Sequence, residues 1–341
     1  IFEGYEETNS KSNILRIIKD SQEILESSNS DDQLILITEN TPFYAETGGQ
    51  IGDKGHFKTD SATFKVSDTQ KTPLGLFLHL GHVLKGRISL GDSVEMIVDS
   101  AKRELIKKNH SATHLLHASL RNNLGKHVAQ KGSLVNDDKL RFDFSHNKSI
   151  DKESILKITN EVNQIISQSS KVITEVKTQE DAVRDGAMAL FGEKYGDEVR
   201  VVSMGKKNED VYSMELCGGI HVSNTNEIQK FHIIKEESIA SGIRRIEAIT
   251  YDKVDEYILS LEESAKETDL QLDLKINSLV SEMNKLGHSY KKEDVLDKNI
   301  LVKSLENKLQ QLKKQFILTS SDKNKIEIDE INNLKIKKKI V

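Results

Sequence analysis

Hydrophobic and polar positions alternate over the first hundred residues and change to helical spacing further on. LILIT (34–38), ATFKV (62–66), LFLHLGHVL (76–84) and SVEMIVD (93–99) are short, β-branched or alternating runs separated by Gly, Asp, Asn and Ser. That is the pattern of strands joined by turns, and it predicts a small β-barrel over residues 1–100. Between the first two runs lies TPFYAETGGQIGDKG (41–55), with Gly48, Gly49, Gly52 and Gly55. Such glycine density fits an ordinary hairpin loop, or a backbone that lets a partner approach closely.

Residues 100–124 read as one long helix ended by Gly125. Strand–turn–strand is expected over 127–145, a second helix over about 151–169 and a strand near 172–177. Further strands are expected at EVRVVSM (198–204), VYSMEL (211–216), FHIIKEE (231–237) and IRRIEAIT (243–250), the last two as a closing pair. Residues 101–251 thus form an α+β block. From 252 onward Val254, Tyr257, Ile258 and Leu261 keep helical spacing, as do Ile276, Leu279, Val280, Met283 and Leu286. Val302, Leu305, Leu309, Leu312 and Phe316 form a heptad seam. It lasts about two heptads, short for a coiled coil, so the expectation is an antiparallel helical hairpin with dimerisation or docking through it. The basic end, KIKKKIV, reads as a solvated terminus. The fold class is α+β: barrel, α+β domain, then an α-helical hairpin or coiled-coil extension (252–341).

Two residue pairs carry candidate chemistry. His110 and His114 sit one turn apart on a helix face, so both imidazoles can reach one ion. Cys217 and His221 repeat that spacing in ELCGGIH, and Cys217 is the single cysteine, which excludes an internal disulfide. A thiolate with three imidazoles suits zinc. Four protein ligands would close a tetrahedral site, whereas three would leave a position for water or substrate. The plainer readings are an HxxxH without metal and a buried cysteine acting as a small hydrophobe. Thr113 and His117 share the histidine stripe. Thr113 can meet a substrate or bond its own preceding turn; His117 reads as packing or as support for a ligand. The HxxxH lacks the glutamate of HExxH, which argues against a metallopeptidase.

Composition narrows the class. The chain has 341 residues, enough for two or three domains, with 36% hydrophobic and 30% charged residues. A net charge of -5 argues against a uniformly basic nucleic-acid surface but leaves room for a local basic groove. No apolar run is long enough to span a bilayer, and no secretory signal is read. With one cysteine, a reducing cytoplasm is the expected compartment, and no membrane partner is expected. The chain begins with Ile1 rather than Met, so an internal or trimmed piece of a longer protein is expected.

FYAETGGQIGDKG, NHSATHLLHASLRNNLGKHVAQKGSLV, LRFDFSH, GAMALFGEKYGD, ELCGGIHV and SGIRRIEA occur in that order over roughly residues 1–250. Together they closely resemble the editing region of alanyl-tRNA synthetase and its free-standing relatives, the AlaX-type trans-editing proteins. The LRFDFSHN wording and the helical extension look more like the synthetase. The resemblance implies a Zn2+ site of His110, His114, Cys217 and His221. It also implies hydrolysis of mischarged seryl- or glycyl-tRNA(Ala), with the acceptor end of tRNA(Ala) as partner. The family commonly reads Cys-Gly-Gly-Thr-His; here Ile220 replaces the Thr, which puts any hydrogen bond from that side chain in doubt. The aminoacylation domain, with its ATP site, is expected to precede Ile1.

By the same resemblance Gln130 is a pocket residue for orienting water or serine, its alternative being an exposed strand polar residue. Thr113 and Cys217 join it as catalytic candidates, and Ser133 as a weaker pocket candidate. Lys131, Arg141, Lys194, Arg244 and Arg245 are candidates for tRNA contact, or else solvated surface. Gly48 and Gly49, beside Tyr44 and Glu46, are expected to pack on the editing domain and shape the approach of the CCA end. Competing readings are a complete trans-editing deacylase and a non-catalytic tRNA-binding or oligomerisation module with structural zinc.

Overall fold

The early alternation becomes nine strands: β1 (Asn9–Lys19), β2 (Gln22–Ile24), β3 (Glu26–Ser27), β4 (Leu34–Thr38), β5 (Gly55–Lys58), β6 (Thr63–Lys71), β7 (Phe77–Lys85), β8 (Ile88–Ser89) and β9 (Ser93–Val98). In this computed structural model, residues 1–28, 30–189, 196–208, 210–290 and 297–333 are described, with side chains up to residue 318. Six of the strands close a barrel in the order β1-β4-β7-β6-β5-β9, with Asn9–Asn13 of β1 returning to Ile97–Ser93 of β9. Closure removes sheet edges and leaves an interior that side chains fill. Strand β9 shows the pattern: Val94, Met96 and Val98 point inward while Ser93 and Glu95 face out. Phe43, Phe57 and Phe64 occupy the centre of this core.

Strands β1, β2, β3, β5 and β8 were not expected. In β1 only Ser12, Ile14 and Ile17 are buried, and the register shifts between Ile14 and Arg16. That irregularity breaks the period of two by which a strand is read.

The second core is built around α1 (Ser100–Leu124), capped by the Asp99 side chain accepting from Lys102 N at 3.2 Å and ended by Gly125 at φ 120°. A four-stranded antiparallel sheet lies against it: β10 (Gln130–Val135), β11 (Leu140–Ser145), β16 (Ile243–Thr250) and β15 (Phe231–Ala240), in that order. Helix α2 (Lys152–Ser167) packs beside α1. A three-stranded sheet follows, β12 (Ile173–Thr178), β13 (Glu198–Lys207) and β14 (Asp210–Leu216), with the short α3 (Gln179–Arg184), which was not expected. From Asn109 to Leu120 every residue of α1 is buried, so this helix is wrapped by protein and is not a surface helix with one apolar face.

The glycine-rich loop 41–55 joins the two cores. Val135 N donates to Gly49 O at 2.7 Å and Ile51 N to Val135 O at 3.1 Å, so the loop runs along β10. Gly49 lies at φ +85°, and a Cβ there would come within 2.7 Å of Ser133 O. Arg103 of α1 fastens the loop from the other side. Its guanidinium pairs with Asp53 and donates to Gly4 O at 3.1 Å, Glu7 O at 3.2 Å and Pro42 O at 2.5 Å. Arg103 and Asp53 are both buried, an arrangement tolerable because the charges meet and both terminal nitrogens of the guanidinium also bond backbone carbonyls, although Arg103 Nε has no partner among the described residues.

Contacts divide the chain into two units, Ile1–Asp255 and Glu256–Val341. The second holds α4 (Asp252–Lys285) beyond its first turn, and α5 (Lys298–Asn333). Met283, Leu301, Leu305 and Leu309 form its core, with Ile276, Leu279, Val280 and Leu286 against them. The helices do not form the expected antiparallel hairpin. The ion pairs Lys298–Asp273 (2.8 Å), Lys275–Glu306 (2.7 Å) and Glu282–Lys313 (2.8 Å) advance along both helices in the same direction. The two therefore run parallel, Lys275 and Glu282 each preceding a seam residue (Ile276, Met283) and pairing across to the residue after Leu305 and Leu312. Phe316, expected in the seam, is 56% exposed, beyond the last core position. The KIKKKIV end lies outside the described residues. Among the described residues no helix is long and apolar enough to cross a membrane.

Candidate metal centre

Four donors converge between α1 and the loop after β14. His110 and His114 stand on successive turns of α1, and Cys217 and His221 bracket the Cys-Gly-Gly-Ile-His loop. One ligand atom from each lies within 4.8 Å of all the others. Cys217 Sγ is 3.5 Å from His110 Nε2 and 3.3 Å from His221 Nε2. Around a tetrahedral zinc with Zn–S of about 2.3 Å and Zn–N of about 2.0 Å, neighbouring ligands sit roughly 3.3–3.6 Å apart. The donor set fits the ion in element type and number, and the two distances from Cys217 Sγ match its spacing.

The imidazoles of His110 and His221 are steadied from their other nitrogen, while His114 Nδ1 makes no hydrogen bond among the described residues. Gln50 Oε1, from the glycine-rich loop, lies 2.7 Å from His110 Nδ1. Ser111 Oγ lies 3.1 Å from His221 Nδ1. The Glu215 carboxylate is 3.6 Å from His114 Nδ1; it accepts from His117 Nδ1 at 3.1 Å and from Ser213 Oγ at 3.3 Å. Such outer partners set ring orientation and tautomer. Burial is the main influence on all three histidines of the set, pushing His110 and His221 well below the ordinary imidazole value. His114 is also lowered, burial outweighing the opposing pull of Glu215. Neutral imidazoles are the metal-binding form. Burial alone would raise the Glu215 carboxyl, but His114 and His117 beside it hold it down at about 2.

The loop between Cys217 and His221 is shaped from both sides. Arg200 of β13 donates to Cys217 O at 3.1 Å and Gly219 O at 2.8 Å, while its guanidinium lies over the Tyr5 ring. Tyr5 Oη donates to Gly218 O at 2.8 Å. With the carbonyls drawn that way, Gly219 N turns to Cys217 Sγ at 3.3 Å and Ile220 N to Gln50 Oε1 at 3.0 Å. A Cβ on Gly219 would come within 2.0 Å of His110 Cε1, so only glycine lets loop and helix meet; Gly218 faces open space.

The other expected site residues are more dispersed. Thr113 donates its hydroxyl to Asn109 O at 2.8 Å, the local alternative. Gln130 opens β10, half-buried and opposite Phe144. Ser133 lies on β10 against Gly49, and Lys131 is exposed between them. Arg245 grips Asp143 through two bonds of 2.7 and 2.8 Å, Arg141 reaches the same carboxylate at 3.7 Å, and Arg244 pairs with Glu236. Lys194 lies outside the described residues. Sequence reasoning missed Gln50, Ser111, Glu215, Arg200 and Tyr5. Three of these adjoin recognised motifs: Gln50 follows the paired glycines, Ser111 follows His110, and Glu215 opens ELCGGIH.

The family of "tRNA synthetases class II (A)" matches residues 1–102, which cover the barrel and the start of α1. The "Threonyl and Alanyl tRNA synthetase second additional domain" matches residues 199–247, which carry Cys217 and His221. An alanine–tRNA ligase of Rhizorhabdus wittichii is 48% identical over 272 residues, 78% of this chain and 30% of the relative. The chain thus spans about a third of that relative's length. With these matches falling on the barrel and on the segment that supplies half of the donor set, the chain belongs to the alanyl-tRNA synthetase family.

Proposed function

We propose that this chain is the proofreading part of an alanine–tRNA ligase, hydrolysing the ester of Ser-tRNA(Ala) and Gly-tRNA(Ala) in a zinc-containing pocket. The observation that carries the reading is the four-donor set with outer partners bonded to His110 and His221, in a chain 48% identical to such a ligase. A site that selects alanine rejects serine and glycine poorly, because each differs by one small group, and a second hydrolytic sieve answers that problem.

His110, His114, Cys217 and His221 would hold the zinc, leaving the metal an organising role because four protein donors complete its tetrahedron. Bound there, zinc would supply a fixed positive charge to the floor of the pocket. The chain's own groups do the rest. Thr113 uses its proton on Asn109 O and offers only lone pairs, so it can accept from a serine hydroxyl that alanine lacks. Gln130 orients the attacking water. Lys131, Ser133, Arg141, Arg244 and Arg245 meet the acceptor end; the ion pairs of Arg244 and Arg245 would exchange partly for phosphate. Gly48 and Gly49 set the loop that borders the approach. Action in the cytoplasm on tRNA(Ala), with association through the α4–α5 helices, completes the reading.

The test is deacylation of Ser-tRNA(Ala) beside Ala-tRNA(Ala), with the native chain and Cys217→Ala. Serine should be released, alanine spared, and the variant reduced on the order of 100-fold or more, at least the cost of losing an outer partner. No release of serine by a folded, zinc-loaded chain sinks the proposal.

A further inference from the structure

We infer that Gln50, a residue of the barrel's glycine-rich loop, is a positioning residue of the metal centre, holding His110 in the tautomer that binds metal through Nε2. The inference rests on the metal-binding reading above but not on the deacylation reaction.

One oxygen makes the argument. Gln50 Oε1 lies 3.0 Å from Ile220 N and 2.7 Å from His110 Nδ1. A backbone N–H can only donate, so the atom facing Ile220 must be the amide oxygen and not the amide nitrogen. The same oxygen can then only accept from His110, which places the proton on Nδ1. His110 Nε2, 3.5 Å from Cys217 Sγ, is left with its lone pair toward the other donors. Gln50 therefore decides which nitrogen of His110 is available, and it ties α1 to the Cys217–His221 loop with a single group.

Its surroundings hold it in place. Gln50 is fully buried. Its backbone bonds Thr47 on both sides of a tight turn, at 3.0 and 3.2 Å, and its neighbours pair with Val135 of β10. Gly219 is open for the same reason: a Cβ would come within 2.9 Å of Gln50 Oε1 as well as against His110. The barrel thus contributes to a metal site whose ligands all lie outside it. Removing an outer partner of a ligating histidine typically weakens metal binding about 10–100-fold.

The experiment uses the full chain with zinc, and with Co2+ as a spectroscopic substitute. Zinc affinity is measured by chelator competition for wild type, Gln50→Leu and Gln50→Glu. Gln50→Leu keeps much of the volume and removes the acceptor; about 10–100-fold weaker zinc and an altered Co2+ ligand-field spectrum are expected. Gln50→Glu can accept both bonds, and should restore affinity and the wild-type spectrum. Long-range 1H–15N spectra of the zinc-loaded wild type, which need no variant to fold, should find the His110 proton on Nδ1. A proton on Nε2, or Gln50→Leu binding zinc within about two-fold of wild type, overturns the inference. Zinc binding without deacylation rejects the proposed reaction and leaves this inference standing; no zinc binding at all rejects both.

Discussion

At the scale of single residues, the site is decided by what is small or buried around the ligands. Gly219→Ala should abolish stoichiometric zinc binding, because its methyl would occupy the His110 ring edge, whereas Gly218→Ala should bind normally. Metal content after dialysis against a weak chelator separates the two; equal loading would show that the loop yields to the methyl. The ligands themselves were legible, because HxxxH and CxxxH are local spacings that place two donors without knowledge of the fold. Gln50 and Arg200 were not. Their partners stand 60 and 17 or more residues away, and nothing in their own sequence surroundings announces which atoms they will meet. Ile220 bears on the same point. Its side chain is buried, and the bond that matters to the centre comes from its backbone N–H, which any non-proline residue in that place supplies.

At the scale of elements, sequence patterning found α1 and the β10–β11 and β15–β16 pairs close to their true ends, although both strand pairs carry register shifts. It failed on β1, with its shifted register, and on β5, four residues set among glycines. The joint between loop 41–55 and α1 also could not be read. Arg103 resembles any charged residue in a first helical turn, yet it is 1% exposed. Arg103→Met should cost about 3–5 kcal/mol in urea unfolding at neutral pH, because Asp53 is then buried without its partner. Burial already raises the Asp53 carboxyl despite the guanidinium. In the variant it rises further, so the deficit should shrink as the pH falls and Asp53 takes up a proton. A deficit under 1 kcal/mol, or one that grows with acid, would contradict this account. Heptads alone also left the direction of α4 against α5 undetermined, because an apolar seam packs in either sense; the side-chain ion pairs are what distinguish the two.

For the whole molecule, the two units have separate cores, with Met283 and Leu305 in one and none of the barrel or α1 residues shared. Residues 1–255 alone should therefore keep their zinc and a melting temperature within about 2 °C of the same transition in the full chain. A larger fall would mean that the helices stabilise the first unit. Within that unit the donor set has a further property, one of time. Cys217 follows His110 by 107 residues, and Ile220 follows Gln50 by 170. A chain made from its N-terminus first presents a buried-to-be oxygen, then two histidines, and much later the sulfur. Contacts of such long sequence separation form late and slowly. A bound cation would consequently mark completion: it can be held tightly only after barrel, helix and loop have all come together, and a molecule misfolded anywhere along that stretch would remain metal-poor.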